Sequence, residues 1–273
     1  MSVNILLFKL ALMVYLGATI LYLCDIIFRR FDVGRFARWV LIGGFLAHTG
    51  VLVVRFIEAG HTPVTNLHES LSFSAWTLVG TFLLFDTRYR LPVLGAFITP
   101  LAVILMFFGG ATFTRVAEID PVLQSWWFPV HVVLAFLGNA MFTMAFAVSV
   151  MYLLQERMLK NKKLSGLFYR LPSLSTLDGI NYKCLTFGFP LMTMGIISGA
   201  VWANSAWGGY WRWDPKETWS LIVWFIYAAL LHGRLTAGWR GRRAAIFSII
   251  GFLCLLFSYL GVSYLLPTEH RFK

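Results

Sequence analysis

Trp207-Gly208-Gly209-Tyr210-Trp211-Arg212-Trp213-Asp214-Pro215-Lys216-Glu217 stands between two apolar runs, 184–204 and 218–236. A helix of about 20 apolar residues crosses the ~30 Å hydrocarbon layer of a bilayer, so both flanks read as membrane helices and the segment between them as a surface connector. Outward from it, further apolar runs lie near 5–28, 39–58, 71–86, 92–109, 126–154 and 244–265, which makes about eight transmembrane helices. The run at 71–86 is short and the run at 92–109 contains Pro100, which a membrane helix tolerates when neighbours satisfy the freed carbonyl. The fold expected is an all-α integral membrane protein, a single polytopic domain over 1–273 with an external loop at 207–217.

Composition agrees. Of the 273 residues, 59% are hydrophobic, 17% aromatic and 13% charged, more apolar surface than a soluble core of this size could hide. The net charge of +11 falls in short bursts between apolar runs, the pattern of a topology signal, and nucleic acid is not an expected partner. Cys24, Cys184 and Cys254 are isolated, without a Cys-x-x-Cys pair or zinc spacing, so neither thiol redox chemistry nor covalent haem attachment to this chain is expected. The first run lacks a basic n-region and an Ala-x-Ala site, and it reads as a retained helix.

With the N-terminus outside, the loops 29–38, 86–91, 155–183 and 233–243 are cytoplasmic and hold 16 of the 23 Lys and Arg. The positive-inside rule favours that orientation, with both termini and the 207–217 loop on the outer side. His131 then lies near the outer end of the fifth helix and His270 in the outer tail. His232, fourteen residues past Thr218, lies ~21 Å along the seventh helix, in the inner half of the membrane.

Four large aromatics in seven residues are costly to display at a membrane surface unless they cover something flat and apolar, and a porphyrin is such an object. Gly208 and Gly209 let backbone approach a planar ring, while Trp207, Tyr210, Trp211 and Trp213 offer apolar faces with a hydrogen-bonding edge. Trp202, Trp219 and Trp224 are equally well read as the aromatic belt of a membrane interface. Asp214-Pro215-Lys216-Glu217 is a helix start, with Asp at the N-cap, Pro in the first turn and Glu three residues after the cap. A histidine deep in lipid is expensive, so His232 requires either a helix-to-helix hydrogen bond or an iron.

The segment from Trp207 to Trp219, followed by Tyr227 and Leu231-His232, resembles the tryptophan-rich "WWD" domain of haem-handling proteins, most closely the CcsA (ResC) family of cytochrome c biogenesis. Other pieces agree in order from about residue 45 onward. They are Gly60-His61-Thr62-Pro63 leading into Asn66-Leu67-His68-Glu69-Ser70, Ser125-Trp126-Trp127 followed by His131-Val132, and Gly261-Val262-Ser263-Tyr264 ahead of His270.

The resemblance implies that His131 and His270 are external axial ligands of haem iron and His232 a ligand of an earlier station within the membrane. The cofactor-binding set is then His131, His270, His232, Trp207, Gly208, Gly209, Tyr210, Trp211, Trp213 and Asp214, with the three histidines on the metal. One departure is that His270 follows Leu266-Pro267-Thr268-Glu269, whereas the family's second external histidine follows a glycine-containing turn. The cargo implied is haem b, held non-covalently and carried outward to the Cys-x-x-Cys-His motif of apocytochrome c. A CcsB (ResB)-type membrane protein is the implied partner of a system II synthase, in a bacterial inner membrane or a thylakoid membrane. No catalytic side chain of this chain is expected. Rate would come from proximity.

Arg212, Lys216, Arg55 and Arg115 are candidate partners for haem propionates. Glu58, His61, His68 and Glu69 form a second outer cluster, and His48 is a candidate second deep ligand. Two rival readings are a CcmC-like or CcmF-like protein that passes haem to a chaperone, and a solute transporter with an aromatic gating loop.

Overall fold

The structure, a computed structural model, describes residues 3–28, 33–112, 121–162 and 166–268. Among them are eight long helices and no strand: α1 (Val3–Ile27), α2 (Val33–Ala59), α3 (Leu67–Tyr89), α4 (Pro92–Ala111), α5 (Trp127–Lys160), α6 (Leu174–Trp207), α7 (Pro215–Thr236) and α8 (Arg242–Leu265). Seven of these are long and apolar enough to cross a membrane, which makes the chain a multi-pass membrane protein. The remaining one, α3, has 23 residues and therefore the length of a span, ~34 Å at 1.5 Å per residue. Its lower apolarity has a local cause. Ser70, Ser72, Thr77, Thr81 and Asp86 are buried against protein, where lipid-like side chains are not required.

The helices extend past the apolar runs because their ends are capped by side chains. Asn66 accepts from the Glu69 N–H at the start of α3, and Ser173 from the Thr176 N–H at the start of α6. Pro100 and Pro190 both lie inside helices, as the membrane setting allows.

The chain packs as two compact units, residues 1–119 and 120–273. In the first, Tyr15, Tyr22, Leu41, Leu78, Phe82, Ile98 and Met106 form a fully buried core from α1 to α4. Two tyrosines set its spacing. Any side chain at Gly44 would meet the Tyr15 ring at 2.8 Å, and one at Gly95 the Tyr22 ring at 2.7 Å.

In the second unit α5 and α6 are the closest pair, because small residues let their backbones meet. A Cβ at Gly138 would stand 3.1 Å from the Met192 backbone, and one at Gly195 3.2 Å from the Ala135 backbone. Asn181 joins three helices, its amide nitrogen donating to Ser149 Oγ and Ser248 Oγ at 2.9 Å each and to the Ala145 carbonyl. The Tyr227 ring of α7 stacks on Phe142 of α5 at 3.6 Å. α8 is interrupted by a π turn at Phe257–Gly261. The start of α5, the end of α6, the start of α7 and the end of α8 meet at one end of this unit.

Candidate functional site

The quoted segment begins where α6 stops. Gly208 takes the left-handed conformation (φ 76°) and its N–H bonds the Asn204 carbonyl, a C-cap that a residue with a Cβ adopts only under strain. Among the described residues, no atom lies within 4 Å of where a side chain at Gly208 would begin, and at Gly209 only the Arg212 Cγ does, at 3.8 Å. Both glycines border open space, as a shelf for a flat ligand requires. Tyr210 and Trp213 are exposed, 61% and 68%, and the Trp211 and Trp213 rings meet edge to face at 5.8 Å. The Arg212 guanidinium lies 5.8 Å over the Trp207 ring.

Trp213 itself is left-handed (φ 58°), a conformation costing roughly 1–3 kcal/mol for a non-glycine residue. What holds it is the helix start that follows. Asp214 caps α7 in the box expected from the sequence, its Oδ1 accepting the Lys216 N–H at 2.9 Å. Glu217 Oε2 accepts from the N–H groups of Arg212 and Asp214 at 2.8 and 3.2 Å. One carboxylate thus grips the backbone on both sides of Trp213. The Trp211 indole N–H is buried and has no hydrogen-bond partner among the described residues. A buried N–H left this way costs about 1–3 kcal/mol, and no acceptor for it lies among the described residues.

His131 is the fifth residue of α5 and is joined to this ledge through rings. It stacks on Trp202 at 6.0 Å and 14°, and Trp202 meets Trp207 at 5.0 Å. Trp202 is 4% exposed and donates its indole N–H to the Val122 carbonyl, so the interfacial-belt reading does not hold for it. The rings of His131 and Trp207 each need a packed partner, and Trp202 serves both. Trp224 is also turned inward, bonding Thr193 Oγ1 at 2.9 Å, and Trp219 packs on Phe257 at 4.5 Å. His131 Nδ1 lies 2.8 Å from the Gly195 carbonyl. A carbonyl only accepts, so Nδ1 carries the proton and Nε2 is the lone-pair nitrogen, the form that binds a metal. Gly199 makes room for the ring, since a Cβ there would meet Nδ1 at 2.7 Å.

His232 sits at the far end of α7, four residues from its last residue Thr236, and is exposed on the helix surface. The structure does not bring it together with His131. Two residues on, Arg234 forms a buried pair with Asp178 of α6 at 2.9 and 3.0 Å, and Asp178 also accepts the Gly241 N–H. His270 and Arg115 lie outside the described residues.

In the first unit several readings change. His48 is fully buried with Nδ1 3.2 Å from the Tyr15 hydroxyl and Nε2 2.9 Å from Ser72 Oγ, so neither nitrogen is available to iron without breaking a bond. Arg55, a candidate for propionates, is 4% exposed and its Nε donates to Glu69 at 2.8 Å, which removes it from that role. The other Glu69 oxygen accepts from the backbone and hydroxyl of Thr65. His68 Nδ1 donates to the Gly109 carbonyl at 2.7 Å. The Arg55, His68 and Glu69 cluster is thus a packed element of structure. Sequence reasoning missed Gly195, Gly199 and Trp202 as supports of His131, although the Gly-x-x-x-Gly spacing of α6 was a legible sign of a close helix partner.

Residues 64–270 match the model of the family described as "Cytochrome C assembly protein". Proteins named "Cytochrome c biogenesis protein CcsA" are similar along most of the chain. That of Gloeobacter violaceus is 33% identical, covering 99% of this chain and 96% of its own, and that of Guillardia theta 34% over 82% and 81%. That of Chlamydomonas reinhardtii is 41% identical over 78% of this chain and 61% of its own length. A solved structure of "Cytochrome c Heme Lyase CcmF" has the same fold, with a TM-score of 0.70 at 22% identity over 98% of this chain. This chain spans about half the length of that structure, 48%.

Proposed function

Because the chain belongs to the CcsA branch of the cytochrome c assembly protein family, we propose that it is a haem-handling subunit of a system II cytochrome c synthase. It accepts haem b within the membrane, moves it outward and presents it to the Cys-x-x-Cys-His motif of apocytochrome c. The observation that carries this reading is His131, whose Nδ1 is committed to the Gly195 carbonyl and whose ring is stacked through Trp202 to the ledge of Trp207. An imidazole oriented by a backbone carbonyl is the usual arrangement of a metal-binding histidine. The Trp211 N–H, which has no partner among the described residues, fits an anionic acceptor brought by the cargo, such as a propionate.

In this reading the ledge of Trp207, Gly208, Gly209, Tyr210, Trp211 and Trp213 faces the outer compartment of an inner or thylakoid membrane. Bound haem supplies an iron with two axial positions and vinyl groups that accept thiols. The protein binds and orients: His131 and His270 take the axial positions, and the indoles exclude water from the porphyrin face. His232 serves an earlier station in the membrane. Its exposure on α7 supports a further contact there, since an imidazole facing lipid alone is unfavourable, and a CcsB-type partner is the contact we assign. Bringing thiol and vinyl together then accounts for the rate, without a nucleophile from this chain.

The test is the absorption spectrum of the protein purified in detergent with its partner, before and after reduction. Low-spin bands are expected, lost in His131→Ala and restored by added imidazole. A wild-type complex without a Soret band, prepared from haem-replete cells, would overturn the reading.

A further inference from the structure

At the end of α7 opposite the aromatic segment, the turn into α8 reads Thr236-Ala237-Gly238-Trp239-Arg240-Gly241-Arg242-Arg243, with three arginines and no acid. It joins two helices that are each long and apolar enough to cross a membrane, so it sits where the protein meets lipid headgroups. Its backbone is held at three points. Ala237 and Trp239 donate their N–H groups to the Gly233 carbonyl at 3.1 and 3.0 Å, and Gly241 donates its own to Asp178 Oδ1 at 2.8 Å. Gly238 and Gly241 have positive φ, 63° and 62°, which lets the chain follow this path. The Trp239 ring lies against Gly233, where a Cβ would stand 2.5 Å from it, and packs on Phe247 at 5.0 Å.

The arginines on this fixed turn are not closed by carboxylates. Arg243 lays its guanidinium over the Trp239 ring at 5.1 Å, and Arg240 is exposed; neither forms an ion pair among the described residues. Arg242, 62% exposed, stands 3.9 Å from Glu156, which already holds Lys160 at 2.8 Å. Three cations this close repel one another, and the adjoining low-dielectric layer screens that repulsion poorly. A phosphate relieves it, because the guanidinium fork matches phosphate oxygens in pairs. Apolar surface continues from these charges into the membrane. Ile246 and Ile250, three and seven residues after Arg243, lie on the same exposed side of α8. A ligand that fits both parts has a phosphate head and an apolar chain.

We propose that the α7–α8 turn binds a membrane phospholipid with an anionic headgroup. Arg240, Arg242 and Arg243 take its phosphate, and an acyl chain runs along Ile246 and Ile250. By stacking on Arg243, Trp239 limits the freedom that this side chain would otherwise lose on binding.

The experiment is native mass spectrometry of the full chain in detergent with equal amounts of phosphatidylglycerol and phosphatidylcholine, reading the ratio of the two retained. Wild type should prefer phosphatidylglycerol, and its thermal midpoint should rise as that lipid is added. Arg242→Gln/Arg243→Gln should lower the preference by about fivefold for each arginine removed, the factor that accompanies ~1 kcal/mol. Arg88→Gln/Arg90→Gln removes the same charge from two exposed arginines at the end of α3 and should leave the preference unchanged. If both double variants lower it equally, the lipid responds to total charge and the proposal is wrong. If glycerophosphate, the soluble head alone, displaces the lipid at equal concentration, the turn is a site for free phosphate and the lipid assignment fails. A wild-type protein without preference would also overturn it.

Discussion

The Gly195 carbonyl decides what His131 can do. By fixing the proton on Nδ1 it leaves the lone pair on Nε2, the nitrogen that would coordinate iron in the proposed function, and Gly199 keeps the space the ring occupies. Gly199→Ala places a methyl 2.7 Å from Nδ1, so the ring must shift. We expect a reduced low-spin fraction at the outer site, with rescue by free imidazole, and full-length folded protein by size-exclusion chromatography. An unchanged spectrum would mean that His131 is not held as described. Arg55 and Glu69 show the opposite kind of residue. Both are buried, 4% and 3% exposed in their side chains, and Glu69→Gln removes the carboxylate charge that faces the guanidinium at 2.8 Å. Removing one member of such a pair costs about 3–5 kcal/mol. The thermal midpoint in detergent should fall, and haem absorbance per folded molecule should not.

Among the elements, α8 is the one whose irregularity matters. Its apolar run reads as a plain span, and nothing in Phe257-Ser258-Tyr259-Leu260-Gly261 announces a π turn. Deleting Ser258 should restore regular α-helix and rotate Ser263 and Thr268 away from α7 by about 100°. The Lys216–Ser263 and Asp214–Thr268 bonds should then be lost and the thermal midpoint in detergent should fall; a deletion variant with the wild-type midpoint would show that the turn has no such part. α7 is held at its other end by Arg234 and Asp178, which also binds the Gly241 N–H. Asp178→Asn should loosen the end of α7 that carries His232, lowering the thermal midpoint while sparing the low-spin bands that His131→Ala removes. The start of α7 was legible in advance, because a capping box is a pattern of neighbouring residues. The bonds from Lys216 to Ser263 and from Thr268 to Asp214 were not, because their partners are 47 and 54 residues apart.

For the whole molecule, the distribution of Lys and Arg predicts an orientation in the membrane, and reporter fusions test it. Those after residues 165 and 238 should report the cytoplasm, and one after 209 the outer compartment; a cytoplasmic signal at 209 would remove the ledge from the side where apocytochrome c is met. The sequence by itself determined that the chain is a bundle of membrane helices, where those helices lie, that an aromatic segment joins α6 to α7, and to which family it belongs. Hydropathy and capping act over a few residues, and so they are written locally. Only the tertiary structure decided that Trp202 stacks on His131 rather than lining the interface, that Arg55 belongs to Glu69, and that both nitrogens of His48 are engaged. Each depends on how helices are rotated about their axes and how closely they approach, and that is set by side chains meeting from distant parts of the chain. A Gly195 carbonyl 64 residues from His131 chooses the tautomer, and no window of sequence contains both.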